Sequence, residues 1–354
     1  MHPYKNDISV LMLFHARPDH FSQVWAEVKK ARPARLFLYQ DGPRMVSKEG
    51  ETIDNPQLSK DWQGIMECRE LVKDENIDWQ CEVHRCYQEK NYGCDPSGYM
   101  SQQWAFSLTD KCIVLEDDVV PSQSFFPFCR EMLDRYEHDE RITMIAGFNT
   151  DEVSPLPENA DSQTDSYFFT RAFSIWGWAS WARVINNRDG EYGFVKDPQQ
   201  FSLLKEKVIQ YRQRKDLPHM AQWHAESGKQ YFESIFWAYM LLHDGLAIMP
   251  RVNLINNIGL NDGTHYATQL QLQPKRLRRQ FEMPRLELDF PLVHPQEVKE
   301  YPDYQVRYYL RNAWNNPWRK VQYSLEELYL NLKCGNFNVI VKAIKNRVKK
   351  TLGK

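Results

Sequence analysis

The sequence predicts an α/β fold in which helices flank a mostly parallel, Rossmann-like central sheet. Short apolar runs alternate with segments of helical periodicity over the first 150 residues, as in doubly wound folds. The apolar runs are continuous rather than alternating, as parallel strands buried on both faces require. With 42% hydrophobic and 26% charged residues among 354, the composition is that of an ordinary globular protein.

The first half of the chain supplies most of the predicted elements. Strands are predicted over residues 9–14, 35–40, 81–86, 112–115 and 142–146. Helices are predicted around residues 21–28 and over 65–71, 97–108 and 125–136. In the first helix, Phe21, Val24 and Val28 recur at the spacing of one helical face.

Beyond residue 150 the pattern changes. Residues 151–166 are rich in Pro, Asp, Ser and Asn, which predicts a loop. A polar helical stretch over 198–225, an apolar helix over 232–242 and a short strand over 246–249 follow. The chain then ends in a predicted C-terminal helical extension.

Composition also limits the location and the redox state. No apolar run approaches the roughly 18 residues of a membrane span, and the polar N-terminus carries no signal-peptide pattern. Seven cysteines without a C-x-x-C pair indicate reduced thiols in a cytosolic protein rather than a zinc site. The sequence therefore predicts a cytoplasmic protein.

Charge is unevenly distributed along the chain. From Tyr304 onward, eleven basic residues are opposed by two acids, so a basic tail follows an acidic body. An acidic body disfavours nucleic-acid binding. Residues 339–352 interleave apolar and basic side chains, as in a helix that lies on an anionic membrane surface. A helix packed on the body with its lysines in solvent fits the same pattern.

The most informative motif is the acidic triplet Glu116-Asp117-Asp118, which follows the apolar run at 112–115. Adjacent carboxylates repel one another unless positive charge lies among them, and a hard divalent cation with oxygen ligands is the natural solution. The carboxyl end of a buried strand is also where open α/β sheets bind their ligands. An acidic turn that caps the next helix is the alternative.

Four segments in order resemble the nucleotide-sugar glycosyltransferases of the GT-A fold. They are Phe37–Gly42, Leu115–Asp118, Trp176–Trp181 and Asn256–His265. The sequence is most similar to the inverting N-acetylglucosaminyltransferase I-like group and its bacterial relatives, over roughly residues 7–270.

The resemblance implies roles for the three acids. Asp118 would bind Mn²⁺ or Mg²⁺, Asp117 would meet donor hydroxyls or a metal-bound water, and Glu116 would contact the donor sugar or ribose. A cation at this position stabilises the negative charge that develops on the leaving nucleoside diphosphate.

Three further residues are donor-binding candidates through the resemblance. Asp41 matches a position that accepts the uracil N3–H, which favours a UDP-sugar donor, although an Asp at a β-turn is common. Arg17 matches a position that contacts the nucleotide or its phosphates, and it also fits an ordinary surface arginine. Asn91 precedes a predicted helix start, where a phosphate or sugar contact and a plain loop are both consistent.

The tryptophan cluster and a later loop complete the donor site in this comparison. Trp176 and Trp178 would stack on a sugar or else belong to the core, and Gly177 between them suggests close backbone approach. Asn257, Gly259 and His265 resemble a loop that closes over the bound donor and excludes water.

An inverting transferase needs a base that removes the proton of the acceptor hydroxyl. Glu233, flanked by aromatic residues at a predicted helix start, is the best match. Asp244 and Glu226 are the alternatives, and Glu233 departs from the Golgi relatives, which carry Asp.

These expectations combine into one reading of the chain. Residues 1–150 would bind the nucleotide sugar, residues 151–300 the glycan or lipid-linked glycan acceptor, and residues 301–354 would form the basic helical tail. The setting would be polysaccharide or glycoconjugate assembly in the cytoplasm, peripherally at the inner face of a membrane. A nucleotidyltransferase and a non-catalytic carbohydrate-binding protein remain alternatives, although the first lacks its usual glycine-rich loop after the first strand.

Overall fold

The computed structural model describes residues 1–46, 50–155, 165–259, 270–338 and 340–341. Ten strands lie in these ranges: β1 Asn6–Phe14, β2 Pro33–Gln40, β3 Glu82–Tyr87, β4 Lys111–Glu116, β5 Val119–Pro121, β6 Ile142–Ala146, β7 Tyr167–Thr170, β8 Trp178–Trp181, β9 Leu246–Pro250 and β10 Ile255–Asn257. The same ranges contain twelve α-helices: α1 Pro18–Ala31, α2 Trp62–Leu71, α3 Cys94–Phe106, α4 Phe125–Arg135, α5 Ala182–Ile185, α6 Gly193–Lys196, α7 Pro198–Gln210, α8 Leu217–Glu226, α9 Phe232–Leu242, α10 Lys275–Glu282, α11 Pro302–Arg311 and α12 Pro317–Lys333.

Eight of the strands form one central sheet in the order β3-β2-β1-β4-β8-β6-β9-β7. The first four run parallel, β8 is antiparallel to both of its neighbours, β6 and β9 are parallel, and β7 is antiparallel at the edge. The predicted fold class, a mostly parallel α/β sheet flanked by helices with a C-terminal helical extension, is confirmed. Strands from both predicted halves of the chain belong to this sheet.

The central residues of the parallel strands β1 and β2 are mainly apolar, and the buried polar side chains of Ser9 and Gln40 are hydrogen-bonded. Residues 8–12 of β1 and 36–40 of β2 are buried, and the face of α1 that covers them buries Phe21, Val24 and Val28. Helix α1 begins with proline, where a missing N–H costs nothing, and ends at Arg32 in the left-handed conformation. The left-handed residue ends the helix and turns the chain directly into β2.

The predicted elements extend or divide in the structure. All six predicted strands are present, and the helical stretch at 198–225 is two helices separated by a turn with Arg212 at positive φ. Residues 156–164 of the predicted loop and most of the predicted tail helix at 339–352 lie outside the described residues. Gly177 has a positive φ and packs directly against Ile255, which explains why a glycine stands there.

The C-terminal segments pack back onto the sheet. In α11, Tyr304, Tyr308 and Tyr309 are buried in a second core with Phe168 and Met249. In the described ranges, no helix combines the length and apolar character needed to cross a bilayer. All seven cysteines are free thiols.

Candidate active site

A cleft of about 500 Å³ opens at the carboxyl ends of β1, β2 and β4. Its lining includes Arg17, Asp41, Asn91, Glu116 and Asp117. Because the carboxyl ends of parallel strands share one edge of the sheet, the side chains that follow them converge there. Five of the predicted site residues are thereby brought into one cleft.

The acidic triplet lies at this edge with little access to water. Glu116 ends β4, and Asp117 and Asp118 are 5% and 8% exposed. Burial, together with the charges of Asp118 and Asp117, raises the pKa of Glu116 to about 8. Burial and the charge of Asp117 also raise the pKa of Asp118. Ionisation of all three carboxyl groups together is therefore unfavourable in the protein alone.

Arg17 is the cation that contacts two of the acids. Its Nη2 lies 2.8 Å from Asp118 Oδ2 and also donates to Asp117 Oδ1, while its Nε donates to Asp117 Oδ2 at 3.3 Å. Burial alone would lower the pKa of the guanidinium, but Asp117 and Asp118 raise it above its usual value. The residue predicted to meet donor phosphates thus bridges the acids at the floor of the cleft.

Asp41 fastens the loop that leads into α3. Its carboxylate accepts hydrogen bonds from the backbone N–H groups of Gly42 at 3.0 Å, Tyr92 at 2.9 Å and Gly93 at 3.0 Å. It also accepts one from the Asn91 side chain at 2.8 Å. Since each oxygen already has two donors, a contact with a uracil N3–H requires one of them to be exchanged. The uracil contact stays a prediction, and the loop-holding role of Asp41 and Asn91 is added to it.

The second half of the chain reaches the triplet through β10. This strand pairs with β5, and the Ile258 N–H donates to the Asp118 carbonyl at 2.9 Å. The Asn257 side chain accepts from the Gly259 N–H at 2.9 Å. Gly259 lies so close to the Asp118 carboxylate that a Cβ would overlap it. Asn257 and Gly259 therefore adjoin the predicted metal ligand, whereas His265 lies outside the described residues.

The two candidate tryptophans have different environments. Trp176 is half-buried between the rings of Phe148 and Phe281, with centroids 4.7 and 5.1 Å away. Trp178 is 1% exposed and packs in the core near Phe236. With no free ring face, Trp178 cannot stack on a sugar in this arrangement, and we count it with the core.

Glu233 lies in the first turn of α9, half-buried and close enough to Arg214 for their charges to interact. Its neighbour Phe232 packs against Gly98 in α3, the helix whose first residues line the cleft. The alternative Asp244 lies beyond the other end of α9 and is bound by Lys207 and Tyr211. The role of Glu233 as base stays a prediction.

The cleft lining also includes polar residues that were not predicted from the sequence, among them three that can carry positive charge: His15, Arg44 and Lys60. His15 and Arg44 follow β1 and β2 at the same sheet edge that singled out Arg17, so their positions carried a usable signal. The Arg44 Nε donates to Asp61 at 2.7 Å. Lys60 comes from an irregular segment, where no periodic pattern indicates it.

The acids suit a cation that is shared with a substrate. Among the described residues, no three His, Cys, Asp or Glu side chains converge as a closed metal site. Mg²⁺ is commonly held by one or two carboxylates together with substrate phosphates, rather than by an all-protein cage. The adjacent carboxyl groups at Asp117 and Asp118 fit that arrangement, with Asp118 as the residue that would hold the metal.

Comparison with protein-family models and with curated proteins finds no match. Comparison with solved structures finds the glycosyltransferase GlyE of Streptococcus pneumoniae TIGR4, with a TM-score of 0.27 and 10% identity over 58% of this chain. The chain spans 40% of the length of that protein.

Two further solved structures are nucleotidyltransferases by name. The UTP-bound UGPase from Acinetobacter baumannii has a TM-score of 0.34 and 10% identity, over 72% of this chain and 89% of its own. A putative glucose-1-phosphate thymidylyltransferase from Bacillus anthracis, in complex with a sucrose, has a TM-score of 0.28 and 10% identity, over 67% and 96%. At such identity these names describe those proteins, and the assignment for this chain depends on its own site.

Proposed function

We propose that the protein is a metal-dependent glycosyltransferase that moves a sugar from a nucleoside diphosphate donor, a UDP-sugar, to a glycan hydroxyl with inversion. One observation carries the proposal. The acidic triplet at the end of β4 meets Arg17 from the end of β1 and Gly259 from the end of β10 at the edge of a cleft that is lined by both acidic and basic side chains.

The cleft suits a diphosphate because Arg17, Arg44 and Lys60 all line it. Guanidinium groups match phosphate oxygens by paired hydrogen bonds, and lysine adds a mobile point charge. Asp41 and Asn91 hold the loop before α3 in place, so the wall beside the nucleotide is rigid before the donor arrives.

A divalent cation held by Asp118 would stabilise the charge on the leaving diphosphate. Arg17 keeps Asp117 and Asp118 in place and supplies positive charge of its own at the same edge. Asn257 and Gly259 hold the chain tightly over Asp118 and so limit the access of water that would hydrolyse the donor.

The transfer itself needs one base. The acceptor hydroxyl oxygen attacks the anomeric carbon, the bond from that carbon to the diphosphate oxygen breaks, and the nucleoside diphosphate leaves. The hydroxyl proton passes to a carboxylate, for which Glu233 is the candidate.

A nucleotidyltransferase is the second candidate, because three basic side chains would hold a triphosphate as well as a diphosphate. The products separate the two. A glycosyltransferase releases a nucleoside diphosphate, whereas a nucleotidyltransferase consumes a triphosphate and releases pyrophosphate.

The test is a thermal-shift screen of nucleotides and nucleotide sugars with and without Mn²⁺, because a ligand that binds only the folded state raises its melting temperature. We expect a Mn²⁺-dependent shift with UDP that Asp118→Asn loses and Asp134→Asn, a change at an exposed acid, keeps. Transfer to a glycan acceptor should fall by about a hundredfold or more in Asp118→Asn. An equal shift without metal, or in both variants, would contradict the proposal.

A further inference from the structure

Helix α12 exposes an apolar stripe to solvent. The stripe consists of Trp318, Val321, Leu325, Leu328 and Leu332, each between 42% and 80% exposed. Their spacing of three and four residues places all five on one side of the helix. A surface helix normally turns such a stripe towards the core and its polar residues towards water.

The helix also has an inner contact, on the opposite side. Tyr323 is buried, and its hydroxyl donates to the Arg311 carbonyl at 2.5 Å. At about 100° per residue, Tyr323 lies about 180° around the helix from the middle of the stripe. The stripe therefore points away from the body, where the described chain offers it no cover. Phe337 and Val341, which follow the helix, are also exposed.

Basic side chains lie on the neighbouring helix α10. The Lys275 N–H of α10 donates to Glu326 of α12 at 2.8 Å, so α10 contacts α12 on a flank about 120° around the helix from the middle of the stripe. Helix α10 carries four basic residues against one acid, and Lys275, Arg276 and Arg279 are exposed. Residues 342–354, outside the described ranges, add six basic residues and no acid.

We propose that the α12 stripe docks on an anionic lipid bilayer, assisted by the exposed basic residues of α10 at the flank of α12. Apolar side chains with a tryptophan would enter the boundary between headgroups and acyl chains, while lysine and arginine meet the anionic headgroups. This surface extends the membrane contact predicted for the tail to a helix that the structure describes.

The charges favour a bilayer over a second copy of the chain. In a paired coiled coil, complementary charges flank the apolar seam. Here Gln322, Ser324, Tyr329 and Asn331 flank it, none of which is charged. A second copy would also bring the same basic α10 and tail to the contact, and like charges repel. An anionic surface gains from the same charges.

The docking surface is connected to the candidate active site. Phe281 of α10 packs on Trp176, and the carbonyls of Phe281 and Met283 accept hydrogen bonds from Asn256 in β10. The next residues, Asn257–Gly259, adjoin Asp118. Contacts through α10 and β10 thus link the docking helix to the cleft, but the docking itself does not depend on the proposed reaction.

Vesicle flotation of the full-length protein tests the proposal. One set of vesicles is phosphatidylcholine, and the other is an equal mixture of phosphatidylcholine and phosphatidylglycerol. We expect binding to the mixed vesicles that weakens at high salt, because surface charges are screened. Leu325→Gln should reduce that binding about tenfold, since one leucine no longer enters the bilayer.

Leu108→Gln is the matched control, because Leu108 is similarly exposed, 53% against 61%, and precedes β4 rather than lying on α12. It should bind as the wild type does. Lys275→Gln with Arg276→Gln should weaken binding at low salt and change it little at high salt.

Three results would overturn the proposal. The first is no binding of the wild type to the mixed vesicles, and the second is an equal loss of vesicle binding in Leu325→Gln and Leu108→Gln. The third is a dimer, detected by light scattering, that Leu325→Gln dissociates while the wild type binds no vesicles. The last would assign the stripe to an interface between copies. No nucleotide is present in these experiments, so the outcome is independent of whether the cleft transfers a sugar.

Discussion

At the scale of single residues, Arg17 provides the positive charge that stabilises the adjacent carboxylates of the acidic triplet. Its guanidinium bonds to both Asp117 and Asp118, and all three side chains are largely shielded from water. Removing one partner of such a group leaves buried charge without compensation, which costs more than the pair contributes. Arg17 therefore stabilises the folded protein even without a donor, and a donor phosphate would accept hydrogen bonds from the same guanidinium that contacts Asp117 and Asp118.

Arg17→Gln should lower the free energy of unfolding by about 2 to 3 kcal/mol, since the guanidinium is partly exposed. Mn²⁺ should restore part of this loss, because a divalent cation can take the place of the missing charge. Urea unfolding with and without Mn²⁺ measures both effects. Arg44→Gln, which breaks the pair with Asp61, is the control and should show no Mn²⁺ recovery. Equal recovery in both variants would contradict this account.

His224 gives the stability a pH dependence. Burial, with the charge of Arg214, lowers the pKa of His224 to about 4, and its Nδ1 lies 2.8 Å from the Ser234 hydroxyl. The unfolded imidazole takes up its proton near pH 6.5, so the unfolded state binds more protons between pH 6.5 and 4. The contribution of neutral His224 to the free energy of unfolding is therefore fully present above pH 6.5 and decreases as the pH falls towards 4.

From pH 7 to pH 5, the wild type should lose about 2 kcal/mol more of its unfolding free energy than His224→Gln does. Chemical denaturation of both proteins at the two pH values provides the comparison. Parallel losses in wild type and variant would show that His224 is not the group responsible.

At the scale of elements, the sequence predicted the long buried strands and missed the short ones. Strands β1, β2 and β4 contain continuous apolar runs, and α9 is apolar apart from Glu233 and Ser234 in its first turn, so their signals are local. Strands β5 and β10 have three residues each and exist because they pair with one another across more than a hundred residues. Pairing of that kind leaves no periodic pattern in either segment.

The residues of the candidate site likewise fall into those with a local sequence signal and those whose roles depend on distant parts of the chain. The acidic triplet and Arg17 could be predicted, because both follow strands that the sequence marks clearly. The hydrogen bonds that residues 91–93 donate to Asp41 could not be predicted, since they depend on how a loop about fifty residues later in the chain folds back onto Asp41. Trp176 and Trp178 are two residues apart with similar surroundings in sequence, and only the position of β8 in the sheet separates the half-buried one from the core one.

Gly259→Ala should disturb the contact between β10 and the triplet. The added Cβ overlaps the Asp118 carboxylate, and overpacking of this kind costs about 1–3 kcal/mol. We expect the Mn²⁺-dependent shift with UDP to disappear. Gly228→Ala is the control, because it has open space but a positive φ, and so costs roughly 1–2 kcal/mol through backbone strain alone.

Thermal melting with UDP and Mn²⁺ separates these two variants. We expect the two variants to have similar melting temperatures without ligand. Addition of UDP and Mn²⁺ should then raise the melting temperature of Gly228→Ala but not that of Gly259→Ala. A normal shift in Gly259→Ala would show that Asp118 tolerates displacement by its neighbour.

At the scale of the whole molecule, late segments of the chain hold the early ones in place. Arg285 pairs with Glu27 of α1 at 3.0 Å and donates to the Pro121 carbonyl at the end of β5. Glu287 accepts the N–H groups of Gln123 and Ser124 before α4. The segment after α10 therefore closes the first half of the sheet around the cleft, and α11 covers the far edge. Helix α12 differs from both, because most of its apolar surface faces solvent.

This difference predicts that two truncations will destabilise the protein to very different extents. A chain that ends at Asn316 loses α12 and its one buried tyrosine, Tyr323, so its unfolding free energy should fall by about 2 kcal/mol or less. A chain that ends at Glu300 also loses α11, whose three buried tyrosines pack against β7 and β9. At about 1.5–3 kcal/mol for each buried side chain, that loss exceeds about 5 kcal/mol.

Urea unfolding followed by circular dichroism compares the two truncated chains with the full-length protein. The shorter one should be largely unfolded or aggregated, and the longer one should unfold cooperatively near the wild-type midpoint. Equal destabilisation of both would mean that α12 packs on the body more extensively than its single buried tyrosine indicates. A cooperative, near-native chain ending at Glu300 would mean that the sheet edge is stable without α11.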